Sequence, residues 1–183
     1  MALKRWGKLS RKTIIQNDHW SYNVDEFVIG NGEKREYHYV HTLGSSIVIP
    51  LNSINKVIMV KQYRYLNQKE SIEFPCGSVE PGLSYEENAN KELREETGYK
   101  ANNLIHTGDF SPYTGASDEI CRVFIGTNLE PSPLPADLTE EFEVVEFTPE
   151  KIDEMISGNI IWDGLTLSAW ILSKNIISEL IKH

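Results

Sequence analysis

Gly77–Tyr99, GSVEPGLSYEENANKELREETGY, sets three carboxylates on one helix directly behind a Gly/Pro-rich loop. Ser84 followed by Glu87 reads as a capping box, in which hydroxyl and carboxylate each satisfy a free backbone N–H, so the spacing predicts a helix from Tyr85. Gly98 tolerates positive φ and supplies the stop. Between these limits Glu92, Glu95 and Glu96 stand at i, i+3 and i+4 and share a face. Like charges so spaced cost an isolated helix roughly 0.2–0.5 kcal/mol per pair, which a solvated surface tolerates. The face therefore reads either as solvated acid or as oxygen ligands for a hard divalent cation. Leu93, of core type on the opposite side, and the loop Phe74-Pro75-Cys76-Gly77 arriving from an apolar strand favour the second reading.

The chain has 183 residues, 40% of them hydrophobic and 25% charged, enough for one well-buried domain with a small appendage. A net charge of −9 argues against nonspecific binding to nucleic acid or anionic membrane. An anionic substrate would need a metal or an arginine. Met1–Leu9 lacks the apolar run of a signal peptide and no later stretch approaches a membrane-spanning length, so a cytoplasmic location is expected. Cys76 and Cys121 have no CxxC partner or His cluster and read as free thiols.

Working outward, residues 20–29 and 34–41 are rich in Tyr, Val and Phe and flank Gly30-Asn31-Gly32, a hairpin pattern. Residues 46–51 and 56–65 read as a second strand pair joined across Asn52-Ser53-Ile54-Asn55, with the apolar run Val57-Ile58-Met59-Val60 as a central strand. Further strands are predicted over 71–74, 104–110, 120–129 and 142–147, with a proline-bearing loop over 130–140. Thr148 before Pro149 starts a short helix that Gly158 ends. A last helix runs from about Gly164, with Leu165, Ala169, Leu172, Ile176 and Leu180 as the stripe that covers the sheet.

The Gly77–Tyr99 stretch resembles the box of the Nudix hydrolase family: Gly, five residues, Glu, seven residues, then Arg-Glu-aliphatic-any-Glu-Glu-any-Gly-aliphatic. Gly77, Glu92, Leu93, Glu95, Glu96 and Gly98 stand in register, whereas Leu83, Lys91 and Tyr99 replace the first Glu, the Arg and the last aliphatic residue. The family's Glu and Arg support the loop-helix geometry by their charges, so Leu83 leaves Lys91 without that partner. The resemblance implies an α/β/α sandwich with a mixed β-sheet over residues 44–183, and an N-terminal β-hairpin segment over 1–43 similar to dimerisation strands, hence a homodimer. It also implies Mg²⁺, or Mn²⁺, held by Glu92, Glu95, Glu96 and the backbone carbonyl of Cys76.

Outside the box, Lys61-Gln62-Tyr63-Arg64-Tyr65, Glu73-Phe74-Pro75-Cys76-Gly77 and Ser111–Glu119 resemble the ADP-ribose pyrophosphatase branch of that family, with Tyr113-Thr114 inserted before the Gly of the last. That likeness implies substrate binding by Arg64, Glu73, Pro112 and Glu119. Read without it, Arg64 is equally a strand-end salt bridge, Glu73 a solvated acid, and Pro112 and Glu119 a turn proline and a loop acid. Cleavage of a pyrophosphate diester needs charge neutralisation, an oriented water and a base. Glu95 joins the catalytic set, and the branch's mobile loop points to Glu140 or Glu141 as base, the other reading being that both are loop acids before a strand. Two functions are carried forward. One is metal-dependent hydrolysis of ADP-ribose or a related nucleoside diphosphate sugar to a nucleoside monophosphate and a sugar phosphate. The other is a catalytically weak ligand-binding or regulatory module on the same fold.

Overall fold

The computed structural model describes residues 3–135 and 141–182. In chain order the elements are β1 (Gly7–Gln16), β2 (Ser21–Val28), β3 (Lys34–His41), β4 (Ser45–Pro50), β5 (Val57–Arg64), β6 (Lys69–Glu73), β7 (Cys76–Ser78), α1 (Tyr85–Thr97), β8 (Tyr99–Phe110), β9 (Cys121–Pro131), β10 (Glu143–Phe147), α2 (Pro149–Ser157) and α3 (Gly164–Leu180). They form three sheets, ordered β1-β2-β3, β10-β5-β6 and β7-β4-β9-β8. All strand pairs are antiparallel except β4 with β9, which makes the largest sheet mixed.

β4 is buried along its whole length because both of its faces are covered. Successive side chains point to opposite sides of a strand. Val48 accordingly packs with Ala89 and Leu93 of α1, while Ile47 and Ile49 join the larger core that holds Ile152 of α2 and Trp170 and Ile177 of α3. Helices on both sides of a mixed sheet are the sandwich that the sequence predicts. The N-terminal sheet is attached at β3, where Val40 exchanges backbone bonds with Ala116 and Asp118, and His41 meets Asp118 at 2.8 Å. Gly44 then turns the chain into β4 at φ +98°, where a Cβ would stand 2.8 Å from the carbonyl of Ile120.

Three expectations change. Residues 46–51 and 56–65 do form strands, but β4 and β5 lie in different sheets: they share the core, with Ile47 and Ile49 in one cluster with Val57 and Met59, and the strand-type bridge between the two stretches is Leu51 with Val57, just past the end of β4. β4 takes β9 and β7 as neighbours, and β5 takes β10 and β6, since both strands are apolar enough to need covering that a mutual hairpin would not supply. The N-terminal hairpin is two strands of a three-stranded sheet, with β1 added beside β2, which becomes the central strand. β1 is exposed throughout and its pairing shifts register twice, near Leu9 and Ile14, which breaks the two-residue alternation by which a strand is recognised. Finally, the buried stripe of α3 is Thr166, Ala169, Trp170, Ser173 and Ile177, leaving Leu172 and Leu180 exposed. The helix is rotated so that Trp170, its largest ring, sits beside Phe74 with its indole N–H on Asp153.

Candidate active site

α1 begins and ends as its caps dictate. Ser84 Oγ accepts the Glu87 N–H, the Glu87 carboxylate accepts the Ser84 N–H at 2.8 Å, and Gly98 closes the helix at φ +78°. Ser46 Oγ donates to the Tyr85 carbonyl at 2.8 Å, which ties the helix start to β4. The loop ahead of the helix is held by Asn88, a fully buried residue whose amide donates to the Gly77 carbonyl and whose oxygen accepts the Glu80 N–H, both at 3.3 Å. Asn88 is a positioning residue that the sequence reading passes over, because an Asn in mid-helix carries no signal until the loop that it clamps is known.

That clamp brings β7 against the acidic face. A Cβ on Gly77 would fall inside the Glu92 carboxylate, so only glycine permits the approach. Glu96 is nearly buried and its Oε1 accepts the Cys76 N–H at 3.2 Å. The Cys76 thiol pKa is pushed up, first by its hydrogen bond with Cys121 and then by burial, so what Cys76 offers the site is its backbone.

Lys91 is the residue whose placement differs most from expectation. Its ammonium lies 2.5 Å from Glu95, 3.2 Å from Glu80 and 3.7 Å from Glu92. Leu83 removes the family's anion, yet Lys91 does not lack a partner: its flexible stem reaches one turn along the helix to Glu95 and back to Glu80 in the loop. Partial burial pulls its pKa down, but the hydrogen bonds it donates to Glu95 and Glu80 and the charges of Glu92 and Glu95 outweigh that and hold it above the ordinary lysine range. Glu80, Lys91, Glu92 and Glu95 line a cleft of about 500 Å³ together with Asp18, His19, Leu43 and Pro135. Asp18 and His19 come from the β1–β2 turn, too distant in the chain for any spacing to have suggested them.

The remaining site residues fall elsewhere. Arg64 and Glu73 bind one another, with Arg64 Nε 2.8 Å from Glu73 Oε1 and its Nη2 on Oε2. Glu73 is buried by this fork and by Gln62 at 3.4 Å. Glu119 accepts from Ser45 Oγ at 2.7 Å beside the attachment of the N-terminal sheet, and Pro112 lies exposed in the turn before it. Glu141 lines a separate cleft with Tyr63, Arg64 and Leu66. Glu140 and Asp137 lie outside the described residues.

Among the described residues no group of three or more His, Cys, Asp or Glu side chains is drawn together tightly enough to hold a metal ion. The donor chemistry nevertheless suits one. The face offers carboxylate oxygens, the ligands that hard divalent cations prefer. Two of its three acids already hold a cation, the Lys91 ammonium.

A NUDIX domain family profile matches residues 40–162, and the chain belongs to that family. The ADP-ribose pyrophosphatase of Bacillus subtilis (strain 168) is 31% identical over 168 residues, covering 88% of this chain and 91% of the relative. The methanol dehydrogenase activator of Bacillus methanolicus is 30% identical over 162 residues, covering 87% and 86%. A crystal structure of an ADP compounds hydrolase superposes with a TM-score of 0.84 over 98% of each chain at 19% identity, a likeness of fold. Among the described residues no helix is long and apolar enough to cross a membrane.

Proposed function

We propose that this chain is a divalent-metal-dependent hydrolase that cleaves the pyrophosphate of ADP-ribose or a related nucleoside diphosphate sugar, giving a nucleoside monophosphate and a sugar phosphate. The observation that carries this reading is the acidic face of α1, pressed against the Gly77 loop and already gathered around a cation at the edge of an open cleft. Likeness to an ADP-ribose pyrophosphatase over most of both chains supports the substrate class.

Glu92, Glu95, Glu96 and the Cys76 carbonyl would hold Mg²⁺ or Mn²⁺, which supplies charge neutralisation for the bridging phosphates when bound. Asn88 keeps the loop closed on the helix, and the Cys76 N–H orients Glu96. Arg64 uses two N–H groups on Glu73 and keeps further donors of its planar fork for a phosphate or ribose. Glu73 thereby acts by aiming Arg64. Pro112 and Glu119 complete the substrate set proposed from the sequence, and Glu140 or Glu141 is the base that takes the proton of the attacking water. Residues 44–183 form the hydrolase domain and residues 1–43 the dimerisation segment. Support for the latter comes from β1, an edge strand exposed along its whole length with Leu9, Ile14 and Ile15 among its uncovered side chains. Sedimentation should show a homodimer, and a single 20.9 kDa species at micromolar concentration would refute it.

The deciding experiment is a screen of nucleoside diphosphate compounds with Mg²⁺, with products dephosphorylated and phosphate measured. ADP-ribose should yield AMP and ribose 5-phosphate, and the yield should vanish with chelator. Seating of Lys91 between Glu92 and Glu95 is the observation that favours the second reading, a ligand-binding module. Saturable ADP-ribose binding with no cleavage of any compound would select it.

A further inference from the structure

Lys91 occupies an unusual position for a cation on an acidic helix. It does not point away from the acids into water; its side chain is 25% exposed and contacts Glu95 one turn along the helix, Glu92 beside it and Glu80 across the loop. Glu92 and Glu95 belong to the proposed ligand set, whereas Glu80 does not and is the most exposed of the three acids, with 55% of its side chain open to solvent. One ammonium thus spans the boundary between the ligand carboxylates and a rim carboxylate that could hold it alone. A lysine suits such a place, since its charge is compact and rides on a four-carbon stem, unlike the rigid fork of arginine.

We propose that Lys91 is a tethered counter-cation for the metal site. Without metal it neutralises Glu92 and Glu95. On loading it swings to Glu80, so that release of those two contacts sets the metal concentration at which the site fills. The proposal rests on the metal assignment made under the proposed function. Carboxylates at i and i+3 repel unless a cation lies between them, and a metal and an ammonium cannot both take the same oxygens. Occupancy by the one therefore subtracts from the apparent affinity for the other. Glu80 acts as the parking place: it costs the site nothing, being no ligand, and keeps the displaced charge paired at the rim.

The test is direct Mn²⁺ binding to the full chain, followed by loss of the free-ion electron paramagnetic resonance signal, with melting in chelator alongside. Lys91→Met should tighten Mn²⁺ binding about tenfold, the factor expected for removing a competitor held by partly exposed ion pairs. It should also lower the melting temperature in chelator, and Mn²⁺ should raise it by more than in the parent. Lys91→Arg, which keeps the charge but forks onto Glu95, guards against a misfolded Met variant and should bind Mn²⁺ more weakly than the parent. Mn²⁺ bound equally well or more weakly by Lys91→Met than by the parent, with the fold intact, overturns the proposal and makes Lys91 a structural tie. No Mn²⁺ bound by the parent or by either variant overturns the metal assignment itself.

Discussion

At Arg64 one guanidinium closes on one carboxylate, whereas at Lys91 one ammonium is shared among three. Both assemblies flank the Phe74–Gly77 loop, one on the strand that enters it and the other on the helix that follows. At the first, Glu73 is 2% exposed and takes two bonds from a planar fork with a third from Gln62, so both oxygens are spoken for. Such geometry has one low-energy arrangement and is costly to open. At the second, the acids are partly wetted, contact distances run from 2.5 to 3.7 Å, and a point charge can trade one partner for another. The difference teaches where rigidity and exchange would be wanted under the proposed function: Arg64 would keep a fixed direction toward substrate, while the α1 face would have to accept and release a cation. Excess acid alone does not mark such a place, since Glu86 and Glu87 crowd the first turn of α1 and serve only the cap and the helix dipole.

The largest expected effect is on the exchanging side. Glu96→Gln keeps the shape of the side chain and the bond from Cys76 N–H but removes the charge. If Glu96 is a metal ligand, hydrolysis should fall roughly 10²–10³-fold, the weight of several kcal/mol of charge stabilisation, with the melting curve unchanged. Full activity at saturating Mg²⁺ would erase the contrast, because the helix face would then be as structural as the Arg64 pair.

On the fixed side, Arg64→Met should act first on stability. It strands the Glu73 carboxylate, and unfolding in denaturant should show a loss of about 2 kcal/mol, below the usual cost of breaking a buried pair because the Arg64 side chain is 41% exposed and already meets water. Mn²⁺ affinity should stay as it was. A variant as stable as the parent would mean that the fork is loose and that Arg64 resembles Lys91 more than it differs from it.

The smallest effect sharpens the frame that both share. Ser84→Ala removes the hydroxyl that accepts the Glu87 N–H, and denaturant unfolding should register a loss of about 1 kcal/mol. The Ser84 backbone N–H and then its hydroxyl hold the Glu87 carboxyl below its ordinary pKa, so the carboxylate half of the box is present above the unfolded pKa and fades as the pH falls through the lowered one, whereas the bond from the Glu87 N–H to Ser84 Oγ does not titrate. Ser84→Ala as stable as the parent at neutral pH would contradict the capping box.

What the sequence determined by itself was local. Ser84, Glu87 and Gly98 set the limits of α1, Thr148 and Pro149 those of α2, and Gly30-Asn31-Gly32 the turn between β2 and β3, because caps and turns are contests among backbone bonds and φ angles a few residues apart. The register of Gly77, Glu92, Glu95, Glu96 and Gly98 likewise gave away the family before any contact was known. Tertiary structure decided everything that depends on which surfaces meet. β4 looks like a hairpin partner of β5, yet it pairs with β9 some 75 residues on, since an apolar strand with two faces needs neighbours and helices that no local pattern names. α3 turned its stripe by about one residue to seat Trp170 against Phe74. Arg64 and Glu73 read as two independent substrate residues until the antiparallel register of β5 with β6 put Glu73 opposite Val60, on the same face as Arg64 four residues on, where the long Arg64 side chain reaches back to it. Lys91 read as a cation without an anion until the loop folded back and put Glu80 within 3.2 Å of it, for an ion pair is fixed by distance in space and sequence records only distance along the chain.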